Sequence, residues 1–180
     1  MLLNTDESAL LIVDVQSRLL PALSHPEALL ERTVWLAKLA ATLNIPTVIS
    51  EHCPDKIGHT DAAVMAAAPA ALVVKKQDFS VCAEGCLNTG MLGGANQIVL
   101  AGIEAHVCVL QTALDLRQRG YRVFVVADAV DSRAAADREL ALTRLRDNRC
   151  QVVSSEMVAF EWLGSARHPQ FKAVHHDFIR

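Results

Sequence analysis

Ala9-Leu-Leu-Ile-Val-Asp14 is a continuous apolar run that ends in a carboxylate, and its reading decides the fold. A strand that is apolar at every position is covered on both faces, which points to a parallel sheet between helical layers. The pattern repeats along the chain. After turn residues Ser24, His25 and Pro26, a helix is predicted from about Glu27 to Leu43, because Leu29, Leu30, Val34, Ala37 and Ala41 recur at spacings near three and four. Thr47-Val-Ile-Ser50 reads as a second strand, and Glu51 to Asp61, with Pro54 and Gly58, as a loop at its carboxyl end. Ala71 to Lys75 and Asn96 to Ala101 are the third and fourth strands. A helix from about Ala105 to Arg119 follows, stopped by Gly120. Tyr121 to Val126, a charged helix from about Ala134 to Asp147, and Gln151 to Val153 complete the series. Strands alternating with helices predict a three-layer α/β/α sandwich with a six-stranded, mainly parallel, Rossmann-like sheet, forming one domain over residues 1–180.

Composition bounds what such a domain does. The chain has 180 residues, of which 52% are apolar and 21% charged, enough apolar material for a sizeable core. Seventeen Lys and Arg against twenty Asp and Glu leave a net charge of −3 with no basic block, so nucleic acid is not expected as a partner. Apolar runs such as Ala9 to Val13 are too short to span a bilayer, and the N-terminus carries no signal-peptide pattern. A cytoplasmic address is therefore expected. Five cysteines (Cys53, Cys82, Cys86, Cys108 and Cys150) are an odd number and fit free thiols in a reducing compartment. Cys82 and Cys86 stand four apart, with no second ligand pair at zinc spacing.

Sheets of this kind place their sites outside the carboxyl ends of the strands. Strand one delivers Asp14 there, strand three Lys75 and Lys76, and strand four opens through Gly102-Ile-Glu-Ala-His-Val-Cys108 into a helix. An acid, an amine and a thiol thus converge on one edge. Each has a bland reading: a small buried cysteine, a loop-bracing aspartate, a solvated lysine. Their convergence favours chemistry. At the first turn of a helix, unpaired N–H groups would stabilise a Cys108 thiolate and lower its pKa. Asp14 would take the thiol proton and return it to a leaving group. A lysine would hold Asp14 ionised. Lys75 and Lys76 point to opposite faces of an extended strand, so only one of them faces the site.

These residues resemble the isochorismatase-like cysteine hydrolases, a family that includes nicotinamidases. The resemblance spans nearly the whole chain: Leu11-Ile-Val-Asp-Val-Gln16 at the opening, Lys76-Gln-Asp-Phe-Ser80 at the lysine segment, and Gly102-Ile-Glu-Ala-His-Val-Cys-Val109 at the nucleophile. Asp128-Ala-Val-Asp-Ser-Arg133 and His168-Pro-Gln-Phe-Lys172 are similar to the isochorismatase domain-containing branch. The resemblance selects Lys76 over Lys75 and implies a catalytic triad of Asp14, Lys76 and Cys108. It also implies a cis Ile103–Glu104 peptide and an oxyanion hole from the backbone N–H groups of Glu104 and Cys108. Gln16, Leu19 and Phe79 are candidates to line the substrate. The implied reaction is hydrolysis of an amide or other C–N bond of a small molecule through a thioester, without a cofactor, in a homo-oligomer.

Nicotinamidase-type members hold a metal with a D-x-H arrangement after strand two. Here the segment reads Ser50-Glu-His-Cys-Pro-Asp55, with His59 beyond, so Glu51, His52 and His59 are read as a polar loop and no metal is assigned. A metal-assisted nicotinamidase and a catalytically silent oligomeric scaffold stand as the alternatives. Members that cleave isochorismate itself lack the cysteine that this chain keeps. His106 is read as a surface or subunit-contact residue, His175 and His176 as solvated, and the apolar tail from Met157 onward as docked against the body or a neighbouring subunit.

Overall fold

The computed structural model describes residues 1–83 and 85–179. Six strands form one parallel sheet: β1 (Ser8–Val13), β2 (Thr47–His52), β3 (Leu72–Lys76), β4 (Gln97–Ile103), β5 (Arg122–Asp131) and β6 (Gln151–Val153). Their spatial order is β3-β2-β1-β4-β5-β6, and every pairing is parallel. Helices α1 (Pro26–Thr42), α2 (Pro54–Ile57), α3 (Ala62–Ala67), α4 (Leu110–Gln118), α5 (Ala135–Asp147), α6 (Ser155–Leu163) and α7 (Phe171–Val174) complete the chain. The chain winds outward from β1 to β3, returns to the other side of β1, and winds outward again to β6. Strand order therefore reverses between β1 and β4, and the switch-point crevice opens above their carboxyl ends.

The sheet has a core on each face. One gathers Leu10, Ile12, Leu36, Leu39, Ile49, Phe124 and Trp162 against α1 and α6; the other gathers Leu11, Val13, Leu100, Val109, Leu116, Val125 and Leu145 against α4 and α5. Every residue of β1 and β4 is buried, as the continuous apolar runs require. The edge strand β3 instead alternates: Leu72, Val73 and Lys75 are exposed, whereas Val74 and Lys76 are buried. The C-terminal tail docks on α1. Trp35 Nε1 donates to the Phe178 carbonyl at 3.1 Å, the two rings meet edge-to-face, and Gln170 Nε2 donates to the Thr42 carbonyl. His175, expected in solvent, is half-buried with its ring stacked on Phe171. Among the described residues no helix is long and apolar enough to cross a membrane.

β5 and the entry to α4 differ from the sequence expectation. β5 runs five residues past Val126, because a register shift between Leu100 and Gly102 lets it rejoin β4 at Val130 and Asp131. The segment read as one helix from Ala105 begins as a π-helical turn over Ala105–Val109, with Val107 and Val109 both donating to the Glu104 carbonyl, before α4 starts. The β1–β4 seam is tight. Gly102 has φ +121°, and a Cβ placed on it would lie 2.1 Å from the Val13 carbonyl oxygen. That contact is backbone on backbone and has no flexible end to yield. Gly102→Ala is expected to cost at least about 3 kcal/mol of folding stability, measured by urea denaturation, or to prevent accumulation of folded protein.

Candidate active site

Asp14 is the first residue beyond β1 and has φ +53°, a left-handed conformation rare for aspartate. This bend turns its carboxylate toward the sheet's second core, where it is 1% exposed. Both oxygens have donors. Ser50 Oγ donates to Oδ1 at 2.7 Å and Lys76 Nζ to Oδ2 at 2.5 Å. The Lys76 side chain is itself fully buried, so its charge is balanced by Asp14 instead of water. Alternation along β3 accounts for the choice between the lysines: Lys76 points inward with Val74, and Lys75 points to solvent.

The Cys108 thiol faces this pair, within hydrogen-bonding influence of both, and the residue is 7% exposed. Its pKa is not lowered as the helix-tip argument expects. Burial first, then the Asp14 charge and hydrogen bond, together push the thiol up to about 12 against the opposing pull of Lys76. Desolvation of a sulfur anion outweighs a helix-end dipole, which is worth about 1 kcal/mol. Cys108 therefore rests as a neutral thiol beside a carboxylate. Cys82 and Cys150 are likewise pushed up to about 11 by burial.

The Ile103–Glu104 peptide is cis, as the resemblance implies. The Glu104 side chain is held by Arg133, which donates from its backbone N at 3.0 Å and from Nε at 2.9 Å. The backbone thus passes from β4 to Cys108 with its turn anchored to the end of β5. His106 turns toward Ser132 Oγ at 2.9 Å and toward Asp137, so its ring belongs to the junction with α5.

The residues expected to line the substrate fare differently. Gln16 is 0% exposed, with its amide committed to backbone: Nε2 donates to the His52 and Gly58 carbonyls, and Oε1 accepts from His52 N. It braces the segment after β2 and has no surface for a ligand. Leu19 packs with the α1-side core, across the sheet from Cys108. Phe79 is half exposed, with its ring 5.5 Å from that of His52, and it is not part of the lining of the cavity at the carboxyl ends of β2 and β3.

Glu51 accepts from Thr60 N at 2.8 Å and Thr60 Oγ1 at 3.0 Å, and lies 3.0 Å from His59 Nδ1. These bonds outweigh its desolvation and hold its carboxyl below the usual range. Part of the expected loop is the short α2, entered through Cys53 at φ +42°. Among the described residues no group of three His, Cys, Asp or Glu side chains is arranged to hold a metal ion. A cavity of about 300 Å³ opens at the carboxyl ends of β2 and β3, lined by residues including Cys53, Lys56, Lys75, Lys76 and Gln77. It shares Lys76 with the cluster; Cys108 is not part of its lining. Ser50 was missed by sequence reasoning, although a hydroxyl ending an apolar strand beside the Asp14 strand was a usable signal.

A model of the Isochorismatase domain matches residues 8–157. The chain is 37% identical over 162 residues to isochorismatase domain-containing protein 1 of Salmo salar, an alignment covering 89% of this chain and 57% of that relative, so it spans little more than half of the other protein's length. It is 34% identical over 173 residues to isochorismatase domain-containing protein 2 of Danio rerio, covering 96% of this chain and 87% of the relative. Among solved structures, the MAR1 ribonuclease of Caenorhabditis elegans superposes with a TM-score of 0.94 at 32% identity, covering 100% of this chain and 93% of that one. From the β1 carboxylate to the cysteine after β4, the residues meeting at the switch point all fall within the matched span, and the chain belongs to the isochorismatase family.

Proposed function

We propose that the chain is a cysteine-dependent hydrolase that cleaves an amide or related C–N bond of a small molecule, with Cys108 as nucleophile, Asp14 as proton shuttle and Lys76 as orienting cation. The observation that carries this reading is the buried Asp14–Lys76 pair facing a cysteine at the point where strand order reverses. A structural role alone gives no reason to bury two charges beside a thiol, since an apolar trio of the same volume would be at least as stable.

The neutral thiol sets the order of events. As sulfur attacks the carbonyl carbon, its proton passes to Asp14, so a free thiolate never accumulates. The negative charge moves to the carbonyl oxygen, where the backbone N–H groups of Glu104 and Cys108 are assigned to receive it. Collapse breaks the C–N bond; Asp14 returns the proton to the departing nitrogen, and ammonia or an amine leaves. Water then attacks the thioester carbonyl, giving its proton to Asp14. The sulfur departs, recovers that proton, and the acid product is released. Lys76, donating to Oδ2, keeps the carboxylate aimed throughout.

The ribonuclease description of the Caenorhabditis elegans neighbour is not carried over. That description belongs to the neighbour; in this chain the lysine is buried and paired with Asp14 beside a thiol, an arrangement suited to attack on a carbonyl.

Screening small amides, ureas and carbamoyl compounds for ammonia release is expected to identify a substrate whose turnover falls at least about 10³-fold in Cys108→Ala. If such a substrate is hydrolysed equally well by that variant, the cysteine mechanism is wrong. Iodoacetamide with peptide mass mapping tests the proton transfer without knowing the substrate. At pH 7, Asp14→Asn is expected to slow Cys108 labelling by about 10²-fold, the lower end of general-base contributions. Asp14→Asn removes two influences that raise the thiol, but burial, the largest, remains, and below the thiol's pKa the thiolate fraction grows tenfold per pH unit. The Asp14→Asn rate should therefore climb steeply toward pH 10 and narrow its gap to the parent protein. Equal labelling of the two proteins at pH 7 would remove Asp14 from the mechanism.

A further inference from the structure

We propose that Ser50 is a positioning residue for the Asp14 base: its hydroxyl fixes the carboxylate so that proton-accepting capacity faces Cys108. This rests on the triad reading above.

Residue 50 holds its neighbour at two points. Val13 and Ser50 are register partners of β1 and β2. Just beyond them, Asp14 N donates to the Ser50 carbonyl at 3.0 Å, while Ser50 Oγ donates to Asp14 Oδ1 at 2.7 Å. The first bond holds a backbone in the left-handed conformation. The second fixes rotation of the carboxylate, a torsion that is otherwise broad. Ser50 is 0% exposed, so water does not replace the hydroxyl if it is lost.

Lys76 alone would not aim the base. An ammonium carries three donors and no acceptor. With Oδ1 left without a donor, the carboxylate is free to swing so that both oxygens face Nζ, turning the accepting lone pairs from sulfur. A hydroxyl on Oδ1 opposes that collapse, and it tolerates both protonation states of Asp14 because it can donate to the carboxylate or accept from the acid. A proton shuttle passes through both states in each turnover, and a second lysine in place of Ser50 would meet only one of them.

Thr and Val at position 50 share one shape and differ in the hydroxyl, which separates positioning from packing. Iodoacetamide labelling of Cys108 at pH 7 is the readout, alongside thermal melts. Ser50→Thr should label within about threefold of the parent protein. Ser50→Val and Ser50→Ala should label roughly ten- to hundredfold more slowly, the range for losing a hydrogen bond to a buried charge. In an Asp14→Asn background, Ser50→Ala should add little, because the base it aims is gone. Should a β-branched side chain unfold the protein, Ser50→Ala against Ser50→Cys supplies the comparison, both variants being expected to label Cys108 slowly while keeping the fold. Parental labelling in a folded Ser50→Ala or Ser50→Val variant overturns the proposal. If Asp14→Asn slows labelling and Ser50→Ala does not, the triad reading stands and the positioning role falls. If Asp14→Asn itself has no effect, both fall.

Discussion

Two opposite charges taken out of water hold this molecule's chemistry together. Asp14 and Lys76 come from residues 62 apart in sequence and meet at 2.5 Å, with neither side chain more than 1% exposed. Removing one partner of such a pair typically costs about 3–5 kcal/mol, because the other is left charged in a dry interior. Strand β3 lies two places from β1, and its terminal side chain, Lys76, reaches Asp14 past a small residue inside the intervening β2. That residue is Ser50, and its hydroxyl completes the shell around the carboxylate.

The same constraint explains the condition of the cysteine. Where an ion pair is shielded from water, a third charge of either sign is expensive. A negative sulfur would lose its hydration and, in addition, face the Asp14 charge at short range, so the thiol keeps its proton. Lys76 softens this without reversing it. Under the proposed mechanism reactivity is therefore conditional: the sulfur becomes nucleophilic only as its proton leaves for the carboxylate.

How much of this could be read from residues alone follows from the range of the forces involved. Strands β1, β4 and β6 were legible because apolar runs report burial directly, and the meeting of Asp14, Lys76 and Cys108 followed from where such strands end. Strand alternation alone said that one of Lys75 and Lys76 faces inward; the choice of Lys76 came from the resemblance, and the burial pattern of β3 agrees with it. Gln16 was misjudged because a side chain's orientation depends on partners far along the chain, here His52 and Gly58. The direction of the Cys108 shift was missed for a related reason. A helix end is visible in sequence, whereas the depth of packing around a sulfur is set by elements far along the chain, here α5 and β5 against the turn that carries it. The extension of β5 depends on a register shift that no local pattern announces.

A buried, protonated thiol has one more consequence, which concerns the cell's oxidants. Peroxides attack the sulfur anion and scarcely touch the neutral thiol, so a cysteine held near pKa 12 spends its resting life in the form least open to sulfenic acid formation. The resting protein is thereby guarded by the same dehydration that gives the proposed mechanism its need for a base.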